Sequence, residues 1–445
     1  MPMNAGSGPS YLVQPGDSLS SIASRFGLTL QELMDANPTI DPNTLAIGDQ
    51  VLIPGLEGIE GLLITDSVQF GDSLTSLSRR NQIQPEYLIK LNHITSPSEL
   101  FAGLGVVLPQ KENFKPLSNR LAFPSDSSLL EAAVLNETTV YDILSINQLG
   151  GSWQALPSDV LYDDKVNEDN PQSALPFSLE KLIISPLPMT QGGTVKIFVQ
   201  PKGDAAISGM LVDKPLHFFP DGTGQLVAIQ GVHAMLNTGP YPLRIVSTKS
   251  DGTIEAFEQM VIVQSGNYPA DPILNVDPAT IDPAATEPEI ELINGLVSKI
   301  TDQKLWSGLF LSPSYFNDCF TSRYGNRRTY VGIGTDRSFD SFHSGLDFCG
   351  GTGLPITAPA DGVIVFSGPL TVRGNATIID HGWGIFSGIW HQDSTVVTTG
   401  QTVKQGELIG YVGGTGRVTG AHLHWEIWAN GVQVNPMEWL ENQYP

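Results

Sequence analysis

Only two cysteines, Cys319 and Cys349, occur in 445 residues, which excludes a disulfide-built scaffold and a thiolate-rich structural zinc centre. Both fall in the last third, where they either close a disulfide over a loop of about 30 residues or stand as two buried thiols; the residues leave both readings open. Basic side chains are scarce too: 23 Lys and Arg against 46 Asp and Glu give a net charge of −23. Such a surface repels polyphosphate, so nucleic acid is excluded as a partner. Long apolar runs are missing, none approaching the roughly 18–20 residues that span a bilayer, and no transmembrane segment is expected. The opening MPMNAGSGPS has neither a basic nor an apolar stretch of an export signal, which was either removed or lies upstream. With 40% hydrophobic and 16% charged residues, the chain has enough apolar surface to fold, and its length asks for about two to four domains.

The N-terminal part repeats itself. Pro15-Gly16-Asp17-Ser18-Leu19 returns as Phe70-Gly71-Asp72-Ser73-Leu74, each followed by helical spacing, an asparagine at the same offset (Asn37, Asn92) and an apolar run ending in proline. An eroded third copy opens at Ser125-Asp126-Ser127-Ser128-Leu129, has lost the glycine, and closes on Val160-Leu161-Tyr162. A strand, two short helices and a strand fit each copy. The pattern resembles the LysM module, a βααβ domain that binds N-acetylglucosamine-containing glycan, over residues 11–54 and 63–109 and more weakly over 120–163. The resemblance implies a shallow groove in which Gly16, Asp17, Asn37, Gly71, Asp72 and Asn92 meet sugar. The competing reading is a turn followed by a helix cap.

Residues 178–264 alternate short β-branched runs with Gly, Pro and Asp turns, which predicts an immunoglobulin-like β-sandwich acting as a spacer. Residues 265–288, rich in Pro, Asp and Ala, read as an extended linker. Helical spacing over Glu289 to Leu305 then predicts a linker helix within residues 289–310.

Five of the eight histidines lie between residues 343 and 424. In His422-Leu423-His424 a strand puts both imidazoles on one face, and in His343-Ser344-Gly345-Leu346-Asp347 a glycine turn brings imidazole and carboxylate together. Imidazole-rich spacing of this kind indicates a catalytic zinc site, not an oxygen-only calcium or magnesium site.

FHSGLDF, GLPITAPADGVIVFSG, IIDHGWG, GQTVKQGELIGYVGGTG and TGAHLHWEI resemble the lysostaphin/LytM-type peptidoglycan endopeptidases over residues 311–445. The resemblance implies an antiparallel β domain with one Zn²⁺ held by His343, Asp347 and His424. It places His422 and His391 beside the open coordination position, His422 as general base and His391 as the polarising group, or the two exchanged. Ile389 and Gln392 depart from the usual Tyr and Leu. His381 reads as a turn residue, Arg327 as structural support or a substrate contact, and Glu426 as an exposed strand residue or a partner behind a ligand imidazole. The chain is thus expected to be multidomain and mainly β with small α+β modules. It is expected to be a monomeric, extracellular, cell-wall or periplasmic zinc endopeptidase cutting peptide crosslinks of peptidoglycan. The alternative is a non-catalytic wall-binding or amidase-activating protein on the same fold. The long N-terminal region could also cover the groove, in which case a fragment starting near residue 306 should be the faster hydrolase.

Overall fold

The computed structural model describes residues 8–56, 58–110, 115–123, 127–156, 159–165 and 174–445. The expected absence of an export signal therefore falls largely outside the described residues. The chain forms two compact units, Met1–Glu180 with Glu255–Met260, and Lys181–Ile254 with Val261–Pro445. It is mainly β with few helices. Among the described residues no helix is long and apolar enough to cross a membrane.

In the first unit two repeats each run strand, helix, helix, strand: Ser10–Leu12, Leu19–Arg25, Leu30–Ala36 and Gln50–Leu52, then Leu62–Ser67, Leu74–Asn81, Pro85–Asn92 and Gly105–Gln110. The recurring serine starts each first helix. Ser18 and Ser73 accept the backbone N–H of Ser21 and Ser76, both at 3.1 Å, a cap contributing about 1 kcal/mol. The four strands form one sheet, with Ser10–Leu12 parallel to Leu62–Ser67. The third copy keeps helices Leu129–Leu135 and Val140–Ile146, and among its described residues the strand pairing is a bridge between Arg120 and Tyr162; Ser125 and Asp126, which open it, lie outside the described residues.

The second unit begins with strands belonging to a four-stranded and a five-stranded sheet. Along Thr194–Pro201, Val195, Ile197 and Val199 are buried, the two-residue period of a strand with one face in a core. This region is no detached spacer. Phe219, Val227, Ile229 and Ala234 share an apolar cluster with Trp306, Phe310, Trp383 and Trp439. Phe219 stacks on Trp383 at 4.8 Å, and the Glu438 carboxylate accepts the N–H of Thr194 at 2.9 Å. Periodicity identifies a buried face but not what covers it, which is why the packing was not legible in the sequence.

The expected linker is structured as well. Leu274–Val276 pairs in parallel with Tyr330–Gly332, a 3₁₀ turn follows at Pro278–Ile281, and a helix, α1, runs Pro283–Val297. Its Asp-Pro composition is two helix starts: Asp277 and Asp282 accept the N–H of Ala279 and Ala284, each with proline at the first turn, where its missing N–H is harmless. The helix therefore begins before Glu289 and stops at Val297, well short of Leu305. Beyond it Leu305 N–H bonds to the His381 carbonyl, which draws the chain out of helix.

The last 100 residues centre on β1 (Leu346–Phe348), β2 (Gly362–Leu370), β3 (Gly374–Gly382), β4 (Ile385–Thr395) and β5 (Leu423–Ala429). They lie in the order β1-β5-β4-β3-β2 within a larger sheet, and these neighbours are all antiparallel. On β5, Leu423, Trp425, Ile427 and Ala429 point into the main core. Trp428 points the other way, with Trp390, onto Ile293 and Val297 of α1. Cys319 and Cys349 are joined by a disulfide with Cα atoms 5.4 Å apart, tying the segment before Phe320–Ser322 to the end of β1.

Candidate metal centre

The antiparallel ladder brings the site together. Asp347 on β1 is the cross-strand partner of His424 on β5, and His424 is the partner of Trp390 on β4. His343 enters from the turn before β1, where a Cβ on Gly345 would stand 2.2 Å from the Trp425 carbonyl, so only glycine lets that turn approach. His343 Nε2 and Asp347 Oδ1 are 3.0 Å apart, His424 Nδ1 and Asp347 Oδ1 2.6 Å, and His343 Nε2 and His424 Nδ1 3.1 Å. All three residues are buried.

The far side of each imidazole decides its tautomer. His343 Nδ1 lies 2.8 Å from the Arg323 carbonyl, and His424 Nε2 lies 3.1 Å from Glu426 Oε1; each nitrogen must donate there. That leaves the lone pairs of His343 Nε2 and His424 Nδ1 facing each other beside a carboxylate oxygen, an arrangement relieved only by a shared proton or a cation. Burial pushes the Asp347 carboxyl up, but the His424 charge and three histidine hydrogen bonds outweigh it and hold it well below the usual range. Burial opposes charge on His424, yet Asp347 and Glu426 raise it to about 9. Positive charge is therefore favoured at this point. The donor set of two nitrogens and one oxygen is one that suits zinc.

Two more histidines flank the cluster. His422, on the same side of the strand as His424, directs Nδ1 to the Gly420 carbonyl at 2.8 Å and Nε2 towards Asp347 Oδ1 at 3.4 Å. His391 directs Nδ1 to the Thr415 carbonyl at 2.8 Å, and its ring centroid lies 5.1 Å from that of His422. It adopts φ +62°, unusual for a residue with a Cβ and held here by its N–H bonding to the Arg373 carbonyl. Burial first, then the neighbouring histidines, pushes His391 down to about 3, so its ring is neutral.

This geometry coincides with matches to known families. The model for peptidase family M23 matches residues 341–436, and that for the LysM domain matches residues 11–54 and 67–109. Residues 341–436 are an M23 peptidase domain. The chain is similar to the peptidoglycan DD-endopeptidase ShyC of Vibrio cholerae, 39% identical over 116 residues, 26% of each chain. It is also similar to the DD-carboxypeptidase/endopeptidase Mpg of Neisseria meningitidis, 44% identical over 95 residues, 21% of this chain and 22% of that protein. The matched region thus spans about a quarter of the length of these curated relatives. Among solved structures, the lysostaphin catalytic domain of Staphylococcus simulans is 31% identical, with a TM-score of 0.22 over 23% of this chain and 80% of that one.

Residues outside the M23 match hold its site in place. Arg328 bonds Asp271 at 2.9 Å and approaches Asp347 Oδ2 at 3.6 Å, whereas Arg327, the arginine singled out in the sequence, is exposed. Strand alternation over Arg327–Gly332 turns one arginine outward and the next towards Asp347. Glu289 of α1 accepts the N–H of Val372 at 2.8 Å and the Arg373 guanidinium at 2.8 Å. Arg373 in turn holds His391 by its carbonyl. Glu426 is buried, not an exposed strand residue: Ser344 and Gln433 each donate to it at 2.6 Å while it holds His424. Burial alone would raise it, but the His424 hydrogen bond foremost, then the Arg373 and His424 charges and the Ser344 hydroxyl, bring it to about 2. His381 is a core residue of β3, with Nδ1 2.8 Å from the Asp361 carbonyl and Nε2 2.9 Å from Ser387 Oγ. Neither Asp271 nor Glu289 carried a motif signal.

Of the six expected sugar contacts, most have structural work. The Asn37 amide donates to the Leu33 and Leu52 carbonyls and accepts the N–H of Leu52. Asn92 does the same with Leu88 and Val107, and Asn147 with Ile143 and Tyr162. The recurring asparagine is a clasp between the second helix and the closing segment, with both amide N–H groups spent on backbone carbonyls. Asp17 accepts from Tyr11 Oη and the Gln14 N–H, and Asp72 pairs with both Arg80 Nη atoms at 3.0 and 3.1 Å. The Gly16 turn is open, with nothing within 4 Å of an added Cβ, whereas a Cβ on Gly71 would meet the Ala174 carbonyl carbon at 2.5 Å.

Proposed function

We propose that the protein is a zinc-dependent endopeptidase hydrolysing peptide crosslinks of bacterial peptidoglycan outside the cytoplasm, held on wall glycan by its LysM repeats, of which the first presents the open turn. The region over 178–264 is read as an immunoglobulin-like sandwich that buttresses the peptidase domain. The observation that carries the reading is the pair of imidazole lone pairs converging on Asp347, for which His343, Asp347 and His424 would hold one Zn²⁺. Bound there, zinc supplies Lewis acidity that polarises a peptide carbonyl and acidifies water near neutral pH.

The hydrogen bonds favour exchanging the two flanking roles. His391 spends its only N–H on Thr415, so the neutral ring offers Nε2 as an acceptor; it takes the proton of the attacking water and returns it to the leaving amine nitrogen. His422, whose Nδ1 is held by the Gly420 carbonyl and whose Nε2 points to the Asp347 side of the centre, is left the role of polarising the developing oxyanion. Glu426 and the Arg323 carbonyl fix the ligand rings, and α1 fixes the His391 loop. A non-catalytic, amidase-activating role is disfavoured because the donor set is complete.

The test is digestion of purified sacculi followed by mass spectrometry of muropeptides, with His424→Ala as control. New free amines without new reducing sugars are expected. New reducing ends, or equal products from the variant, would refute the assignment.

A further inference from the structure

The groove over the metal centre is a cavity of about 900 Å³ whose lining includes Arg328, Arg337, Arg373 and Arg417 together with the site histidines. Four guanidinium groups in one cavity are unexpected in a chain of net charge −23. Three of them are neutralised. Arg328 pairs with Asp271 and Asp347, Arg373 with Glu289, and Arg337 with Asp282.

Arg417 has no carboxylate within 4.0 Å among the described residues. It is half-buried and held in place without one: a single Nη1 donates to the Thr280 carbonyl at 3.1 Å. Its guanidinium carbon lies 4.4 Å from the Tyr330 ring centroid and 5.8 Å from that of Phe339, and those two rings stack on each other at 5.0 Å. Stacking fixes the plane of the guanidinium while leaving its remaining N–H donors unspent. The backbone N–H of Arg417 is fixed as well, on the Val372 carbonyl at 2.8 Å. Its loop is the one whose Thr415 carbonyl orients His391, and it leads directly into His422. Four acids line the same cavity: Asp347 and Glu426 belong to the metal centre, and Glu287 and Asp336 are exposed.

A half-buried, pre-oriented guanidinium with no carboxylate in contact is a receptor for a planar anion, which it grips through two parallel N–H bonds. Resting on the peptidase reading above, we propose that Arg417 is a specificity residue that binds a free carboxylate of the stem peptide. The carboxylate meant is the one on the carbon bearing the leaving amine, the substrate charge nearest the reacting amide. Crosslinks through a diamino acid that keeps this carboxylate free would be preferred over amidated ones and over lysine or glycine bridges.

The full-length, zinc-loaded protein can be given two crosslinked muropeptide dimers that differ only in whether this carboxylate is free or a carboxamide. The ratio of their kcat/KM values is expected to favour the free acid by about tenfold or more. Arg417→Gln should bring the ratio close to one, whatever happens to the absolute rate. Arg417→Lys, which keeps the charge and the packing but loses the planar fork, should reduce it. A wild-type ratio near one, or a preference that survives in both variants, overturns the proposal while leaving the peptidase reading intact. Cleavage of neither dimer overturns the peptidase reading itself and the proposal with it.

Discussion

Replacing Glu289 with alanine should damage both the stability of the second unit and catalysis, although the residue lies outside the M23 match. Its carboxylate is buried, at 5% exposure, and carries the Arg373 guanidinium and two backbone N–H groups of the loop before β3. Removing one partner of a buried pair leaves the other charge uncompensated, at a cost of about 3–5 kcal/mol. In a unit of this size each 1 kcal/mol lowers Tm by about 2–4 °C, so a fall of roughly 6–20 °C is expected. The freed loop no longer fixes the carbonyl that holds His391. A displacement of about 1 Å there should lower kcat by about a hundredfold with KM little changed. Thermal unfolding and muropeptide hydrolysis read the two effects, and a double-mutant cycle with Arg373→Ala should show a coupling above about 1 kcal/mol. A Tm within 2 °C of wild type with kcat retained, or additive effects in the cycle, would refute the brace.

Other predictions are independent of this one. Glu426→Ala should weaken zinc binding by about 10–100-fold in a chelator competition, because His424 loses the acceptor that sets its tautomer; unchanged affinity would remove Glu426 from the site. His381 is fully buried as the neutral ring, its pKa pushed down by burial from 6.5 to about 4. Between those values the unfolded chain binds a proton that the folded chain does not, so stability should fall as pH drops from 6.5 to 4. The loss is up to about 3 kcal/mol, and His381→Asn should flatten that part of the denaturant-midpoint profile. A fragment starting at residue 306 should be unstable and inactive, not faster, since it lacks Asp271, Glu289 and the aromatic contact with Phe219; full activity on soluble dimers would show that the upstream segment is dispensable. Asn37→Ala should destabilise the first repeat by about 1–3 kcal/mol without changing the glycan affinity of the folded protein, and selective loss of affinity would restore Asn37 as a sugar contact.

Local sequence determined what depends on spacing and intrinsic residue chemistry. The two-residue period of His422-Leu423-His424-Trp425-Glu426 puts three polar side chains on one face of a strand, and Gly345 permits the His343 turn, so the convergence of His343, Asp347 and His424 was legible. The Gly-Asp-Ser-Leu recurrence likewise marked the repeats, because a serine cap and a positive-φ glycine act within a few residues. Only tertiary structure decided what lies opposite each group. It chose Arg328 over Arg327 to reach Asp347 and buried Glu426 behind His424. It occupied Asn37 and Asn92 with backbone, joined Cys319 to Cys349, and folded the Asp-Pro stretch into a strand, a turn and a helix that deliver Asp271 and Glu289. Each of those outcomes pairs residues remote in the chain or distinguishes neighbours on opposite faces. The energy that selects among them, a buried charge finding its partner or an apolar face its cover, appears only once the sheet has closed.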